Sequence, residues 1–267
     1  MCVPLRLFLV SSLFALSMLA GTASATSYST DQSDLWFIPT ESGWGIQLVQ
    51  RGSTIFATMF VYDAAGKPIW YVATMSPTGD GITWTGDLLV ASQGPWFGNP
   101  AFDPAAVIGR KVGTMTWFGQ LVNSGVLEYT VDGVAVTKNP IRQPVDNENY
   151  SGRFGFGQHS TRTGCSNTND NGIRESVGAV TINQTGTAVS LTVVNDDTCT
   201  YAGTLRQSGQ MGTISGNYSC AGGDLGSFAL FEVQVTPSAI GGRFSADSAS
   251  GACHSTGWFG GARTTLF

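Results

Sequence analysis

Charged side chains are scarce in this sequence. Asp, Glu, Lys and Arg make up 12% of its 267 residues, about half the roughly 25% that is usual in globular proteins. The 13 basic residues form no stripe and are outnumbered by 18 acidic ones. This excludes a nucleic-acid-binding surface of the usual kind. The chain also has no convincing amphipathic helix after its first segment, which excludes a coiled coil.

Groups that usually carry catalysis are few as well. The sequence has two histidines, His159 and His254, and neither has the spacing of a metal-binding HExxH motif. No GxSxG motif supports a serine hydrolase, and no glycine-rich phosphate or dinucleotide motif opens a helix. We therefore expect no cofactor, and the sequence favours a protein that is not an enzyme.

The first 25 residues have the pattern of a secretory signal peptide. Arg6 supplies a positive charge, residues 7–20 form an apolar run, and Ala25 ends a cleavage site of small residues. The apolar run is shorter than the roughly 20 residues that a membrane-spanning helix needs. We expect cleavage after Ala25 and a mature chain without a transmembrane segment, in the periplasm or outside the cell.

Four of the five cysteines lie beyond this cleavage site. An even number of cysteines in an exported chain favours two disulfides. A two-residue turn at 209–210 would place Cys199 opposite Cys220, because both would then be equally far from the turn. By elimination, Cys165 would pair with Cys253. The alternative is a zinc site, although no CxxC spacing is present.

Short strand-like segments, separated by glycine-rich and Asp/Asn-rich turns, run along the whole mature chain. Their spacing of roughly 8–12 residues indicates antiparallel sandwiches or barrels. Two prolines at 139–146 interrupt the pattern, and tryptophans concentrate before them while the mature cysteines follow. We predict an all-β protein with two antiparallel β-barrel or sandwich domains. The aromatic-rich domain spans residues 26–143, and the disulfide-stapled β-barrel domain spans residues 144–267.

One predicted strand is apolar on both faces. Its faces carry Ile55, Ala57 and Met59 on one side and Phe56, Thr58, Phe60 and Tyr62 on the other. A two-residue turn at 51–52 would place Leu48 opposite Ile55 and Ile46 opposite Ala57, and so bury the first set. The aromatic second set predicts that another part of the protein covers it.

Residues 34–143 contain an ordered set of short motifs. The set opens with W-x-x-P-x-E-S-G-W-G at 36–45 and continues with FATMFVYDAAGKPIWYVAT at 56–74, FDPAAV at 102–107, VGTMTW at 112–117 and LEYTVDGVAVTKNPIRQ at 127–143. In these motifs the region resembles a widespread, uncharacterised β-domain of secreted bacterial proteins. The resemblance implies an exported domain, often beside other extracellular modules, and identifies no catalytic residue. The second half more loosely resembles lipocalin-like and avidin-like barrels.

The first half is dense in aromatic side chains, which either fill a β core or form a platform for a ligand. The segment 94–104 is the best platform candidate, because its three prolines and three aromatics fit neither strand nor helix. Loops of this length are often functional. We predict ligand binding by the following residues: Trp36, Glu41, Trp44, Trp70, Tyr71, Trp96, Phe97 and Phe102.

Glu41 has two interpretations. A carboxylate beside aromatic rings can have a raised pKa and act as a general acid. A glycosidase would need a second carboxylate roughly 5–10 Å away, and Asp63, Asp87, Asp103 and Glu128 are available. More often, such a glutamate accepts backbone N–H bonds and stabilises a turn.

A calcium loop is a further candidate. Asn167, Asn169 and Asn171 carry oxygen side chains at alternate positions before Gly172. The twelfth position of such a loop is Gly178 here, not the bidentate Glu of a calcium loop. An ordinary Asn/Gly turn explains the pattern equally well.

Low charge and abundant aromatics favour an uncharged ligand. We expect an exported, non-catalytic binding protein for an extracellular glycan, an envelope polymer or a small apolar ligand. The alternatives are a secreted hydrolase that uses Glu41 and a structural component of the envelope.

Overall fold

A computed structural model describes residues 30–98, 101–119, 122–249 and 253–264. The predicted signal peptide lies outside these residues. Within them the chain forms seventeen strands and two short 3-10 helices, and this confirms the all-β prediction. No helix in the described ranges is long and apolar enough to cross a membrane.

The first nine strands form one antiparallel sheet. They are β1 (Asp34–Phe37), β2 (Gly45–Arg51), β3 (Thr54–Tyr62), β4 (Pro68–Pro77), β5 (Thr83–Ser92), β6 (Ile108–Phe118), β7 (Val126–Val131), β8 (Val134–Lys138) and β9 (Ile141–Arg142). Their order in the sheet is β8-β7-β6-β5-β4-β3-β2-β1-β9. A bridge joins Ser124, just before β7, to Ile141 of β9 at the opposite end of the order, so the sheet is curled. One 3-10 helix, Pro104–Ala106, lies between β5 and β6.

The inner face of this sheet fills an apolar core. Ile46 and Leu48 of β2 are at most 2% exposed, and Ile55 and Met59 of β3 are fully buried. The hairpin turn lies one residue later than predicted, because Arg51 pairs with Thr54 and Gly52 adopts a left-handed φ of 58°. Leu48 therefore faces Ala57 and Ile46 faces Met59. The register differs by two residues, which leaves the same side chains buried.

The remaining eight strands form a closed antiparallel barrel in chain order. They are β10 (Gly152–Thr163), β11 (Gly172–Thr185), β12 (Ala188–Val194), β13 (Thr198–Ser208), β14 (Met211–Cys220), β15 (Leu225–Val235), β16 (Ala239–Ser248) and β17 (His254–Arg263). Strand β17 pairs with β10 and closes the barrel. The second 3-10 helix, Thr168–Asp170, lies between β10 and β11.

Both predicted disulfides are confirmed. Ser208 pairs with Met211 across the β13–β14 turn, and the register continues to Cys199 opposite Cys220. These two cysteines are bonded, as are Cys165 and Cys253.

A strap of five residues, 30–34, contacts both halves. The backbone N–H of Gln210, in the β13–β14 turn, donates to Asp34 Oδ2 at 3.0 Å. Thr30 Oγ1 donates to Glu232 Oε1 of β15 at 2.6 Å. On the other side, Trp36 Nε1 donates to the carbonyl of Gln32 at 3.0 Å. The sheet and the barrel are thus held together by specific polar contacts.

Candidate functional site

The outer face of the curled sheet carries a row of large apolar side chains. Strands β2 to β5 turn one set of residues inward to the core and the alternate set outward. We call the outward set the aromatic face, and each member is between 38% and 57% exposed. Its members are Val49, Phe56, Phe60, Tyr62, Trp70 and Leu89. The expected cover over β3 is absent from the described part of the chain, and that prediction was wrong.

Phe60 and Trp70 form the centre of the aromatic face. They are directly opposite each other on β3 and β4, and they are 51% and 54% exposed. Directly opposite residues in an antiparallel pair have Cβ atoms about 4.5–5.5 Å apart. Two residues further along, Thr58 lies opposite Val72. Two large rings therefore stand side by side next to a hydroxyl group.

The predicted loop extends from the same end of the sheet. Val72 pairs with Leu89, so the last residues of β5 run beside the first residues of β4, where Trp70 lies. The loop that follows carries Trp96 and Phe97, which are 68% and 93% exposed. Their ring centroids are 5.3 Å apart. The connectivity thus places the loop aromatics near the Phe60–Trp70 end of the aromatic face.

The base of this loop is also ordered by a cap. Asp103 accepts a hydrogen bond from Ala105 N at 2.9 Å and so caps the 3-10 helix Pro104–Ala106. Phe102, immediately before it, is 64% exposed. Residues 99 and 100 of the predicted loop lie outside the described residues.

Two predicted binding residues are core residues instead. Trp36 is 1% exposed and packs edge-to-face on Trp117 at 4.7 Å. Tyr71 is 8% exposed, and burial raises the pKa of its hydroxyl. Strand alternation explains both positions, because Trp36 pairs with the buried Ile46 and Tyr71 with the buried Met59. The assignment of these two residues to a surface platform was wrong.

Trp44 and Glu41 lie together beside a lysine. Trp44 is partly buried against the core of the first half, and Lys138 Nζ lies 6.0 Å from its ring centroid. The same ammonium group donates to Glu41 Oε2 at 2.5 Å. The backbone N–H of Glu41 donates to the carbonyl of Ile38 at 2.9 Å, within the predicted turn. Glu41 therefore forms an ion pair beside a turn, and its carboxylate accepts from a lysine side chain, whereas the structural interpretation expected backbone N–H donors.

Three of the candidate partner carboxylates have structural contacts of their own. Asp63 accepts from the backbone of Ala65 and Lys67 at 2.9 Å and stabilises its turn. Asp87 pairs with Lys111 at 2.7 Å, and Asp103 caps the 3-10 helix. These contacts give no support to a carboxylate pair built on Glu41. The Asp87–Lys111 pair also balances the charge beside the aromatic face.

The asparagine segment uses its oxygens internally. Asn167 Oδ1 accepts from Asn169 N at 3.2 Å, and Asn171 Oδ1 accepts from Cys165 N at 3.0 Å. Within the described residues, the group with metal-ligating atoms in close proximity is Asp197, Cys199 and Cys220. Its two sulfurs form a disulfide, so they are not thiolate ligands.

The barrel contains a feature that the sequence did not reveal. Its strands enclose a cavity of about 640 Å³. The wall combines residues from all eight strands and from loops such as 195–197, so the cavity depends on barrel closure and has no local sequence motif. The signal that could have indicated it is a repeated alternation of glycine with large apolar residues, as in Tyr201, Gly203 and Leu205 of β13.

No family model and no curated protein matches this chain. Among solved structures, the chain is similar to a crystal structure from Bacteroides fragilis described as a "putative outer membrane protein". The two share 13% identity over 78% of this chain and 89% of the other, with a TM-score of 0.32. At that score the likeness carries no conclusion about this protein.

Proposed function

We propose that the chain is an exported, non-catalytic binding protein that holds an uncharged glycan or envelope polymer on its aromatic face. One observation carries this proposal. Phe60 and Trp70 stand directly opposite each other, each about half exposed, on the face of the sheet that points away from the core. The core is complete without them, because the inner alternate residues of β3 and β4 already fill it.

Contiguous exposed apolar surface usually marks an interaction site. The rings of this face are flat and lie on a rigid sheet, so little conformational entropy is lost when a ligand packs against them. Thr58 and Thr74, on the same face of β3 and β4, offer hydroxyl groups to the edge of a bound molecule. Rings flanked by hydroxyl groups suit sugar rings, which are apolar on their faces and polar around their edges.

Two features support export. The N-terminal residues have the signal-peptide pattern, and both disulfides join cysteines that would remain reduced in most cytosolic proteins. The low charge of the chain favours an uncharged polymer over a polyanion.

The test is a pull-down of residues 26–267 on insoluble polysaccharides and isolated cell envelopes. The chain offers a matched control, because Trp258 on the barrel is 58% exposed and Trp70 is 54% exposed. We expect Trp70→Ala to weaken binding by about tenfold, since central aromatic residues dominate interface energies. Trp96→Ala should weaken it less, and Trp258→Ala should leave it unchanged.

Circular dichroism must show that each variant is folded. Equal binding by wild type and folded Trp70→Ala would refute the aromatic face as the site. Absence of binding to every polymer would refute the glycan proposal and favour the structural alternative.

A further inference from the structure

The barrel cavity has the dimensions of a ligand site. Eight-stranded barrels either fill their interior with side chains or enclose one small ligand. Here side chains leave a cavity of about 640 Å³, which lies within the range of roughly 300–1,000 Å³ that small-molecule sites span. The cavity is in the second half of the protein, on different strands from the aromatic face.

Opposed glycines bring strands β13 and β14 close together next to the tyrosines that line the cavity. Gly203 and Gly216 face each other across β13 and β14. A Cβ at Gly203 would lie 2.6 Å from the carbonyl oxygen of Ser215, and one at Gly216 would lie 2.0 Å from that of Ala202. The two strands approach too closely at this level for a side chain, and the Phe228 ring, which lines the cavity, lies 3.1 Å from the Cβ position of Gly203.

Aromatic rings line the cavity beside the opposed glycines. Tyr201 and Tyr218 are stacked with centroids 5.4 Å apart and an interplanar angle of 27°. Phe228 meets Tyr201 edge-on at 5.1 Å and 87°. Val180 and Leu191 add apolar wall on the neighbouring strands. This part of the cavity presents flat apolar surface and suits a ring-bearing molecule.

Polar groups line the mouth, and some of them, among them the exposed Arg162, have no protein partner within the described residues. Asp224 accepts from Tyr218 Oη at 3.0 Å and from Ser248 Oγ at 3.1 Å. Arg174 donates to the carbonyl of Asn169 at 3.0 Å. For Arg162, by contrast, the described residues provide no hydrogen bond or ion pair to its guanidinium group.

Two further facts define the chemistry of the mouth. Burial raises the pKa of the Tyr201 hydroxyl and of the Tyr218 hydroxyl. Arg162 lines the same cavity as these two tyrosines. The lining also carries four carboxylates against two guanidiniums, and this excess of negative charge disfavours an anionic ligand.

We propose that the barrel cavity binds one small, uncharged, ring-bearing molecule, whose apolar body packs against Tyr201 and Phe228 and whose oxygen acceptor faces Arg162. This site is independent of the aromatic face, so either proposal can fail alone.

The location is tested with N-phenyl-1-naphthylamine, an uncharged probe whose fluorescence rises in apolar surroundings. Neighbouring valines on β12 provide a matched pair. Val193 lines the cavity, whereas Val194 is 48% exposed on the outside. We expect Val193→Trp to weaken probe binding at least tenfold, and Val194→Trp and Trp70→Ala to leave it unchanged.

If Val193→Trp does not fold, Ala246→Trp on the opposite wall provides the same test. Equal binding by the inward and outward variants would overturn the location. Loss of binding in Trp70→Ala would assign the probe to the aromatic face instead, and would also overturn it.

The ligand chemistry is tested with two matched pairs of molecules. We expect 8-anilinonaphthalene-1-sulfonate, which adds a negative charge to the same rings, to bind at least tenfold more weakly. We also expect 2-acetylnaphthalene to displace the uncharged probe at a concentration about tenfold lower than 2-ethylnaphthalene, because only the ketone can accept a hydrogen bond from Arg162.

That preference should disappear in Arg162→Leu. It should persist in Arg206→Leu, which removes the same charge from an exposed position on β13. Equal displacement by the two naphthalenes in the wild type would overturn the role of Arg162. Tighter binding of the sulfonate would overturn the uncharged ligand class.

Discussion

Replacing Arg142 with methionine should destabilise the first half of the protein far more than the removal of an exposed charge does. The Arg142 side chain is 0% exposed. Its Nε donates to the carbonyl of Val122 at 2.5 Å, and Nη1 donates to the carbonyl of Ser33 and to Asp34 Oδ2, both at 3.1 Å. Nη2 donates to the carbonyl of Asp31. Arg142→Met fills similar space and removes every one of these donors.

The loss of stability follows from the buried groups that no longer have a hydrogen-bond donor. Asp34 is only 7% exposed in its side chain, and three backbone carbonyls lose their donor. Removal of one partner from a buried ion pair costs about 3–5 kcal/mol. Loss of the guanidinium stack on Trp36, at 4.5 Å from the ring centroid, adds to that. For a chain of this size we expect the melting temperature to fall by about 6–20 °C.

Urea denaturation followed by tryptophan fluorescence measures this change, because six of the seven tryptophans lie in the first half. Arg110→Met is the control, since the pair of Arg110 with Asp132 is more than half exposed on both sides. It should leave the denaturation midpoint almost unchanged. Equal midpoints for Arg142→Met and wild type would refute the role assigned to the buried guanidinium.

Three further predictions concern the barrel and its contact with the strap. Removal of the Cys165–Cys253 bond, which spans 88 residues, should destabilise the barrel by about 4–5 kcal/mol. Removal of the Cys199–Cys220 bond, which spans 21 residues, should cost about 3 kcal/mol. Denaturation of the two double-alanine variants compares these costs, and the reverse order would contradict the loop-entropy reasoning. Gly209→Ala should separate the unfolding of the two halves, because a Cβ there would lie 2.0 Å from Asp34 Oδ2 and the φ of 59° disfavours alanine. Calorimetry should then show two unfolding transitions. A single, unshifted transition would refute the idea that this contact couples the two halves. Burial raises the pKa of Tyr150 to about 12 from 10, so the folded state keeps a proton that the unfolded state loses. The raised pKa of Tyr150 therefore makes the free energy of unfolding depend on pH. Its contribution is fully present below pH 10 and is lost as the pH rises to about 12, a change of roughly 2–3 kcal/mol in all. Tyr150→Phe should flatten that part of the stability curve, and an unchanged curve would contradict this assignment.

Local turn chemistry explains why much of the fold was predictable. A two-residue turn with glycine at its first position determines the whole β13–β14 register, and so the Cys199–Cys220 pair followed from one hairpin. At the β2–β3 turn the same reasoning chose Arg51 and Gly52 as the turn residues. The structure uses Gly52 and Ser53, because glycine there takes the left-handed first position.

The site was less predictable because exposure is a property of the assembled sheet. Trp36 and Trp70 are both strand tryptophans next to apolar residues, and only the direction of each side chain separates core from surface. The apolar outer side of β3 predicted a cover, whereas Phe60 and Tyr62 are more than half exposed. The barrel cavity combines residues from eight strands, so no single segment could indicate it.

The seam where β10 pairs with β17 closes the barrel and so completes its interior. These strands are separated by most of the second half of the chain, yet they pair along ten residues. The Cys165–Cys253 bond links the segment after β10 to the segment before β17, beside the same seam. The first seven barrel strands alone therefore lack the partner that closes the sheet into a barrel. A chain truncated before β17 would lose the strand that completes the barrel wall, and with it the lining that Ser255 and Phe259 contribute to the cavity.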